Sequence, residues 1–158
     1  MSSGDRIDLA NQAVFASACA LQAMPGVEVA VGAFPYRQLV LPFGGRANRE
    51  QGRFQLRPVG STPMHEGITM AHRALGKRRN PRKLLIVMTD GEADCMATAR
   101  AALDHAASAG IETFGVGIMT SYVEHLFPAS TVVNDVNELP ERMLTLLKTR
   151  LTSRRAVA

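Results

Sequence analysis

Cysteine is scarce in this sequence, which contains only Cys19 and Cys95 among 158 residues. Both lie in helical patterns, and their separation does not match the spacing of a metal-binding cysteine pair. Because intracellular proteins keep isolated thiols reduced, the sequence predicts two buried, reduced cysteines rather than a disulfide or a metal centre.

Long apolar runs are missing as well. No segment approaches the ~20 consecutive apolar residues that a membrane-spanning helix needs. The first residues are polar and lack the basic segment and apolar stretch of a secretory signal, so we expect a cytoplasmic protein. Apolar residues make up 46% of the chain and charged residues 20%, as in a globular protein. The length predicts a single domain over residues 1–158, with a frayed tail at about 152–158.

Aromatic residues form only 5% of the chain, and the net charge is +4. Much of this charge lies in the basic segment Lys77–Lys83. Such a cluster can bind nucleic acid or an acidic partner. No aromatic residues that could stack on bases lie between its cations, which favours a solvated loop over a nucleic-acid site.

The stretch around which the chain is organised is Lys83–Gly91. Its apolar run, Leu84–Met88, predicts a strand buried on both faces of a parallel sheet, and the Asp-Gly pair after it predicts a turn. Ligands of open parallel sheets bind beyond the carboxyl ends of the strands, which is where Asp90 would lie. The alternative is that Asp90 caps the next helix or holds the turn.

Apolar periodicity and turn residues predict an alternation of helices and strands along the rest of the chain. This alternation indicates a doubly wound α/β fold with a mostly parallel sheet and helices on both faces. The predicted elements are a helix capped by Ser2, Ser3 or Asp5 and ended by Pro25-Gly26, strands at 27–34 and 38–41 in a hairpin, a mobile loop at 44–57, a helix that starts at Ser61-Thr62-Pro63 and ends at Gly76, the strand at 84–88, helices at 97–109, 122–127 and 138–151, and strands at 111–118 and 131–133.

Two polar residues are expected at the carboxyl edge of this sheet. Thr62 begins a helix, and Asp90 ends a strand. A hydroxyl and a carboxylate are hard oxygen ligands, which suit Mg²⁺ or Mn²⁺. Asp94 and Glu92, which follow closely, could add negative charge to a metal site. We favour the alternative that they are acids at the start of the next helix, where they suit the helix dipole.

Two segments of this site resemble a known family. Gly60–Met64 and Leu85–Gly91 are similar to the second and third parts of the metal-ion-dependent adhesion site of von Willebrand factor type A (VWA) domains. Within that superfamily the chain most resembles the C-terminal domain of the cobaltochelatase CobT family. The closer match lies in Ser2–Ile7, in the alanine-rich first helix, and in Val132–Pro140.

The resemblance implies a non-catalytic interaction domain that holds Mg²⁺ or Mn²⁺ at Thr62 and Asp90. In the family the metal bridges to a carboxylate of a partner. The resemblance implies that this partner is an AAA+ ATPase subunit of a chelatase that inserts cobalt during cobalamin biosynthesis. Other chelatase subunits are further expected partners. An alternative is a VWA module that works with a MoxR-like AAA+ ATPase in activating another metalloenzyme. A small α/β hydrolase is a third alternative, but no nucleophile–base pair or phosphate loop supports it.

The sequence departs from the family at the first part of the site. The family's first central strand and its Asp-x-Ser-x-Ser motif are absent, and Met1 stands where that motif should have ended. Either the two flanking strands close up, or another segment fills the gap, or the chain is a fragment of a longer protein. We favour the fragment and expect it to bind Mg²⁺ weakly or not at all. In the family the missing strand lies between the strands that correspond here to 27–34 and 84–88, so their facing edges should be unpaired.

Two further patterns predict structure rather than chemistry. Gly115-Val116-Gly117 lies inside a strand and lacks the third glycine of a dinucleotide-binding loop. The four histidines are interpreted as surface or helix-face residues: His65, His72, His105 and His125. His65 and His72 are two helical turns apart, too far to hold one ion between them.

Overall fold

The structure is a computed structural model that describes residues 3–34, 39–56 and 62–152. Ser2, Ser61, the start of the predicted strand at 38–41 and the tail from 153 lie outside the described residues. The elements are α1 (Ser3–Gln22), α2 (Met64–Gly76), β1 (Leu84–Thr89), α3 (Met96–Ser108), β2 (Glu112–Ile118), α4 (Tyr122–Leu126), β3 (Ser130–Val133) and α5 (Leu139–Thr152), with short 3₁₀ turns at Ala47–Arg49, Gln51–Phe54 and Val136–Glu138.

The chain divides into two compact units, each described here by itself. The first contains residues 1–30, 41–57 and 135–158, and the second contains residues 31–40 and 58–134. The organisation as one domain stays a prediction.

The second unit is built on a parallel sheet in the order β1-β2-β3. Leu84 of β1 pairs with Glu112 of β2, and Gly115 of β2 pairs with Ser130 of β3. Parallel neighbours need a crossover between them, and here α3 and α4 lie in the two crossovers. The predicted α/β class with a parallel sheet is confirmed.

Burial along the sheet differs from the prediction. The side chains of Leu85, Val87 and Thr89 are buried, whereas those of Leu84, Ile86 and Met88 are only half-buried. The expectation that this strand is buried on both faces is therefore wrong. β2 is the strand with a continuously buried run, because it lies between two neighbours while β1 lies at the edge of the described sheet.

The helices of the second unit cover one face of β1. Leu85 and Val87 pack in a core with residues of α2, α3 and α4, including Ile68, Leu103 and Val123. Gly67 of α2 lets the Phe34 side chain pack against this helix, since a Cβ atom at residue 67 would lie 2.5 Å from the Phe34 ring. The core therefore fixes α2 and β1, the two elements that border the predicted site residues Thr62 and Asp90.

The predicted strand at 27–34 is wrong. Among the described residues of this segment only Val31 forms an isolated bridge, and the rest is irregular. A strand needs a partner for its backbone hydrogen bonds, and the strand that the family resemblance places between this segment and β1 is not in the described sheet. Residues 35–38 of the predicted hairpin lie outside the described part.

The first unit is formed by α1, α5 and the segment 41–57. The Gln22 side chain donates a hydrogen bond to the Gly45 carbonyl (2.7 Å) and accepts one from the Ala47 amide (2.8 Å). The rings of Phe15 and Phe54 meet edge to face, with centroids 5.2 Å apart. This segment, predicted as a surface loop with one possible helical turn, contains two 3₁₀ turns and is anchored to α1 through Gln22 and Phe54. Its mobility stays a prediction.

None of the described helices has both the length and the apolar composition needed to cross a membrane.

Candidate metal and interaction site

Asp90 follows the last residue of β1 and is exposed to solvent. Its carboxylate forms no hydrogen bond or ion pair within the ranges that the structure describes. It does not cap the next helix, because α3 begins only at Met96. An exposed carboxylate without an internal partner is free to bind a ligand.

The turn around Asp90 is held by its neighbours rather than by Asp90 itself. The buried Thr89 hydroxyl donates to the Gly91 carbonyl (3.1 Å) and accepts from the Gly91 amide (3.2 Å). This local hydroxyl–backbone turn satisfies Thr89 and leaves the Asp90 side chain pointing away from the core. The alternative role of Asp90 as the group that holds the turn is therefore not observed.

Asp94 ties the segment after β1 to the segment before α2. Its carboxylate Oδ1 accepts a hydrogen bond from the Thr62 amide (2.7 Å), and its own amide donates to the Thr62 carbonyl (2.9 Å). Sequence reasoning assigned Asp94 to the start of the next helix, which is wrong, because residues 91–95 are not helical. No local pattern signals this contact, since it joins residues 32 positions apart in the chain.

Thr62 is half-buried and lies just before α2. The helix begins at Met64, its N-cap position is Pro63, and no side chain caps it. The sequence predicts Ser61 or Thr62 as the N-cap; Ser61 lies outside the described residues, and Thr62 is not the cap. The Thr62 hydroxyl makes no hydrogen bond with the described residues. The structure brings Thr62 to the loop that follows Asp90, whereas the joint role of Thr62 and Asp90 as metal ligands stays a prediction.

The donor chemistry of this edge suits a hard cation, but the donor number is low. Thr62 and Asp90 offer one hydroxyl and one carboxylate, and Asp94 already holds the Thr62 amide. Across the described ranges, no three acidic, histidine or cysteine side chains converge as a metal site would require. Mg²⁺ prefers near-octahedral oxygen coordination, so these residues fit it in kind and do not complete its coordination.

The two cysteines differ from their prediction. Neither forms a disulfide; Cys19 is half-buried, and Cys95 is exposed just before α3. A hydrogen bond from the Thr98 backbone amide, followed by the Thr98 hydroxyl, lowers the pKa of the Cys95 thiol. The expectation of two buried thiols is wrong, because residue 95 precedes the helix instead of lying on its inner face.

The basic segment is partly used in the structure. The Arg82 guanidinium donates to the Glu112 carboxylate (2.9 Å), and both side chains are about three-quarters buried, with exposed fractions of 25% and 28%. This ion pair joins the segment before β1 to the start of β2. At least one cation of the cluster therefore has a structural partner, which supports the interpretation of the segment as a loop before a strand.

The edge that contains Thr62, Asp90 and Asp94 lies within a segment that matches a known protein family. The profile of the von Willebrand factor type A domain matches residues 53–139, more than half of the chain. The chain belongs to the von Willebrand factor type A domain family. The match includes Thr62, Asp90 and Asp94, so the loop contacts described above lie in the shared part of this A domain.

Solved structures of other A domains share its fold. The vWF domain of the type V pili tip protein Mfa5 from Porphyromonas gingivalis is similar with a TM-score of 0.74 at 10% identity, covering 96% of this chain and 90% of that one. Proximal thread matrix protein 1 from the mussel byssus, with a zinc-occupied MIDAS motif, is similar with a TM-score of 0.70 at 16% identity, covering 90% of this chain and 42% of that one.

The pilus adhesin SpaC from Lactobacillus rhamnosus GG, in an open conformation, is similar with a TM-score of 0.73 at 13% identity. The match covers 92% of this chain and 28% of SpaC, so the chain spans less than half of SpaC and of the mussel protein. Identities this low show the fold alone. A search of curated proteins found no match.

Proposed function

We propose that this A domain is a non-catalytic protein-interaction module that engages its partner through a divalent metal at the carboxyl edge of the sheet. The observation that carries the proposal is the exposed Asp90 carboxylate, which has no partner among the described residues and lies next to a loop held by the Thr62–Asp94 hydrogen bonds. Such an arrangement fixes the backbone and leaves the carboxylate to bind.

Asp90 and Thr62 are the metal ligands in this proposal, and Mg²⁺ or Mn²⁺ is the metal, because both ligands are hard oxygens. Two protein ligands leave such an ion largely hydrated and loosely held. A carboxylate from the partner would add the ligand that raises its affinity. The zinc-occupied MIDAS motif of the mussel thread protein supports a metal at this place in the fold.

The partner we propose is an AAA+ ATPase subunit of a cobaltochelatase in the cytoplasm. The support is the resemblance of Ser2–Ile7 and Val132–Pro140 to the CobT family, which works with such a subunit in cobalamin biosynthesis. A MoxR-like AAA+ ATPase in another metalloenzyme-activation system is the alternative, and the genes that neighbour this one would separate the two.

Titration calorimetry with Mg²⁺ and with Mn²⁺ tests the metal ligands. We expect the isolated chain to bind either ion no more tightly than the millimolar range, since two ligands hold it weakly. Micromolar binding by the isolated chain that Asp90→Ala abolishes would show that further residues of this chain complete the site.

Surface plasmon resonance against the purified ATPase subunits tests the partner. We expect binding in Mg²⁺ that is lost in a chelator and is at least about tenfold weaker for Asp90→Ala, since losing one partner of a buried charge contact costs ~2 kcal/mol or more. Glu92→Ala is the matched control, because Glu92 is an exposed acid in the same loop. Equal binding of Asp90→Ala and the wild type would refute the proposed site.

A further inference from the structure

Two histidines from different helices meet on the surface of the second unit. His72 of α2 and His105 of α3 have ring centroids 4.9 Å apart, with the rings tilted by 51°. His105 is exposed and His72 is half-buried, so solvent reaches the pair. The two helices are held by the same core, to which Ile68 of α2 and Leu103 of α3 belong.

The spacing of the rings matches that of two imidazoles bound to one ion. For a tetrahedral zinc with bonds of ~2.0–2.1 Å to nitrogen, two ring centres lie about 5 Å apart. The observed 4.9 Å falls at this value without movement of either helix. Because the core already fixes both helices, binding would order little more than the two side chains.

We propose that His72 and His105 form a second metal site, separate from the Asp90 edge, for a transition-metal cation such as Zn²⁺ or Ni²⁺. Imidazole nitrogen suits these ions, whereas Mg²⁺ and Mn²⁺ favour oxygen, so the two sites differ in their preferred metals. No third histidine, cysteine or carboxylate joins the pair within the described ranges. Water would supply the remaining ligands of a bound ion, which would leave it open to a ligand from solution.

Zinc titration of the chain prepared without a histidine tag tests this site. We expect one Zn²⁺ per chain. His105→Ala should bind Zn²⁺ at least about tenfold more weakly, because removing even a residue that only orients a ligand lowers metal affinity by about tenfold or more. His105 is exposed, so this substitution leaves the fold intact, and His72→Ala should weaken binding as strongly. His65→Ala is the matched control on the same helix and should leave Zn²⁺ affinity unchanged.

A stability measurement gives a second readout. Zn²⁺ should raise the melting temperature of the wild type, because it binds only the folded chain, and should not raise that of His105→Ala. Asp90→Ala should keep the full response to Zn²⁺. Unchanged zinc affinity in His105→Ala, or loss of zinc binding in Asp90→Ala, would overturn the proposal.

Discussion

Asp94 shows how a single side chain sets the local structure of this domain. Its carboxylate and its amide both bond to Thr62, so one residue satisfies the amide and the carbonyl of another. The contact gives a fixed entry to α2, whose N-terminus has no side-chain cap. At this end of α2 a long-range hydrogen-bonded pair takes the place of a local cap.

Replacing Asp94 with alanine should lower the free energy of unfolding by about 1 kcal/mol, the typical net value of one hydrogen bond, since the contact is exposed. Asp94→Asn should lose less because it keeps an acceptor oxygen. Guanidinium denaturation measures both. Glu92→Ala is the control, and an equal loss there would show that the charge of the loop, rather than the contact with Thr62, matters.

Cys95 should be the more reactive of the two thiols. It is exposed, and the Thr98 amide lowers its pKa, so its thiolate forms at lower pH than that of an ordinary cysteine. Iodoacetamide labelling followed by mass spectrometry at neutral pH should modify Cys95 before Cys19. Cys95→Ser should remove the fast phase and Cys19→Ser should keep it; equal rates for the two cysteines would contradict the prediction.

At the scale of elements, packing on β2 explains why Gly115 and Gly117 are glycines, although their spacing resembles part of a nucleotide-binding motif. A Cβ atom at Gly115 would lie 2.5 Å from the ring of Phe127, and one at Gly117 would collide with the Thr120 carbonyl oxygen and the Val123 side chain. The two glycines lie on one face of the strand, two residues apart. They let α4 and the chain around it lie directly on β2.

Gly117→Ala should therefore lower the free energy of unfolding by about 2–3 kcal/mol or more, because backbone atoms cannot move aside as a side chain can. Thermal denaturation followed by circular dichroism measures the loss. Gly76→Ala is the matched control, since Gly76 ends α2 and has no atom within 4 Å of its added Cβ. A Gly117→Ala variant as stable as the control would show that α4 shifts freely on the sheet.

Local patterns predicted the helices and three of the strands, and they failed where structure depends on distant partners. α2, α3 and α5 lie within one or two residues of the predicted bounds, because apolar spacing and stop residues act within a few residues. The apolar segment at 27–34 has strand-like composition, but among the described residues it forms only an isolated bridge at Val31. The candidate site shows the same limit: Asp90 could be recognised from its strand, whereas the contacts of Asp94 and of His105 arise only after packing.

At the scale of the whole molecule, β1 lies at one edge of the described sheet. Lys83 accepts a hydrogen bond from the Glu112 amide, so alternate residues of β1 direct their backbone groups to β2. By this alternation the amides of Ile86 and Met88 point to the other side, where the described sheet has no strand. β2, in contrast, has a neighbour on each side.

Hydrogen exchange followed by NMR should report this asymmetry. The amide of Val87 should exchange slowly, those of Ile86 and Met88 faster, and those of β2 slowest as a group, because exchange follows the loss of hydrogen bonds. Neighbouring residues of one strand serve as internal controls for solvent exposure. Strong protection of Ile86 and Met88 would contradict an open edge on β1.

The doubled hydrogen bond between Thr62 and Asp94 has a mechanical consequence. The loop after β1 and the approach to α2 cannot be displaced independently while both bonds hold, so a pull on one is transmitted to the other. Under the proposed function, a partner bound at Asp90 would therefore load α2 as well as β1. Movement of a proposed ATPase subunit at this edge would reach α2 through these two hydrogen bonds.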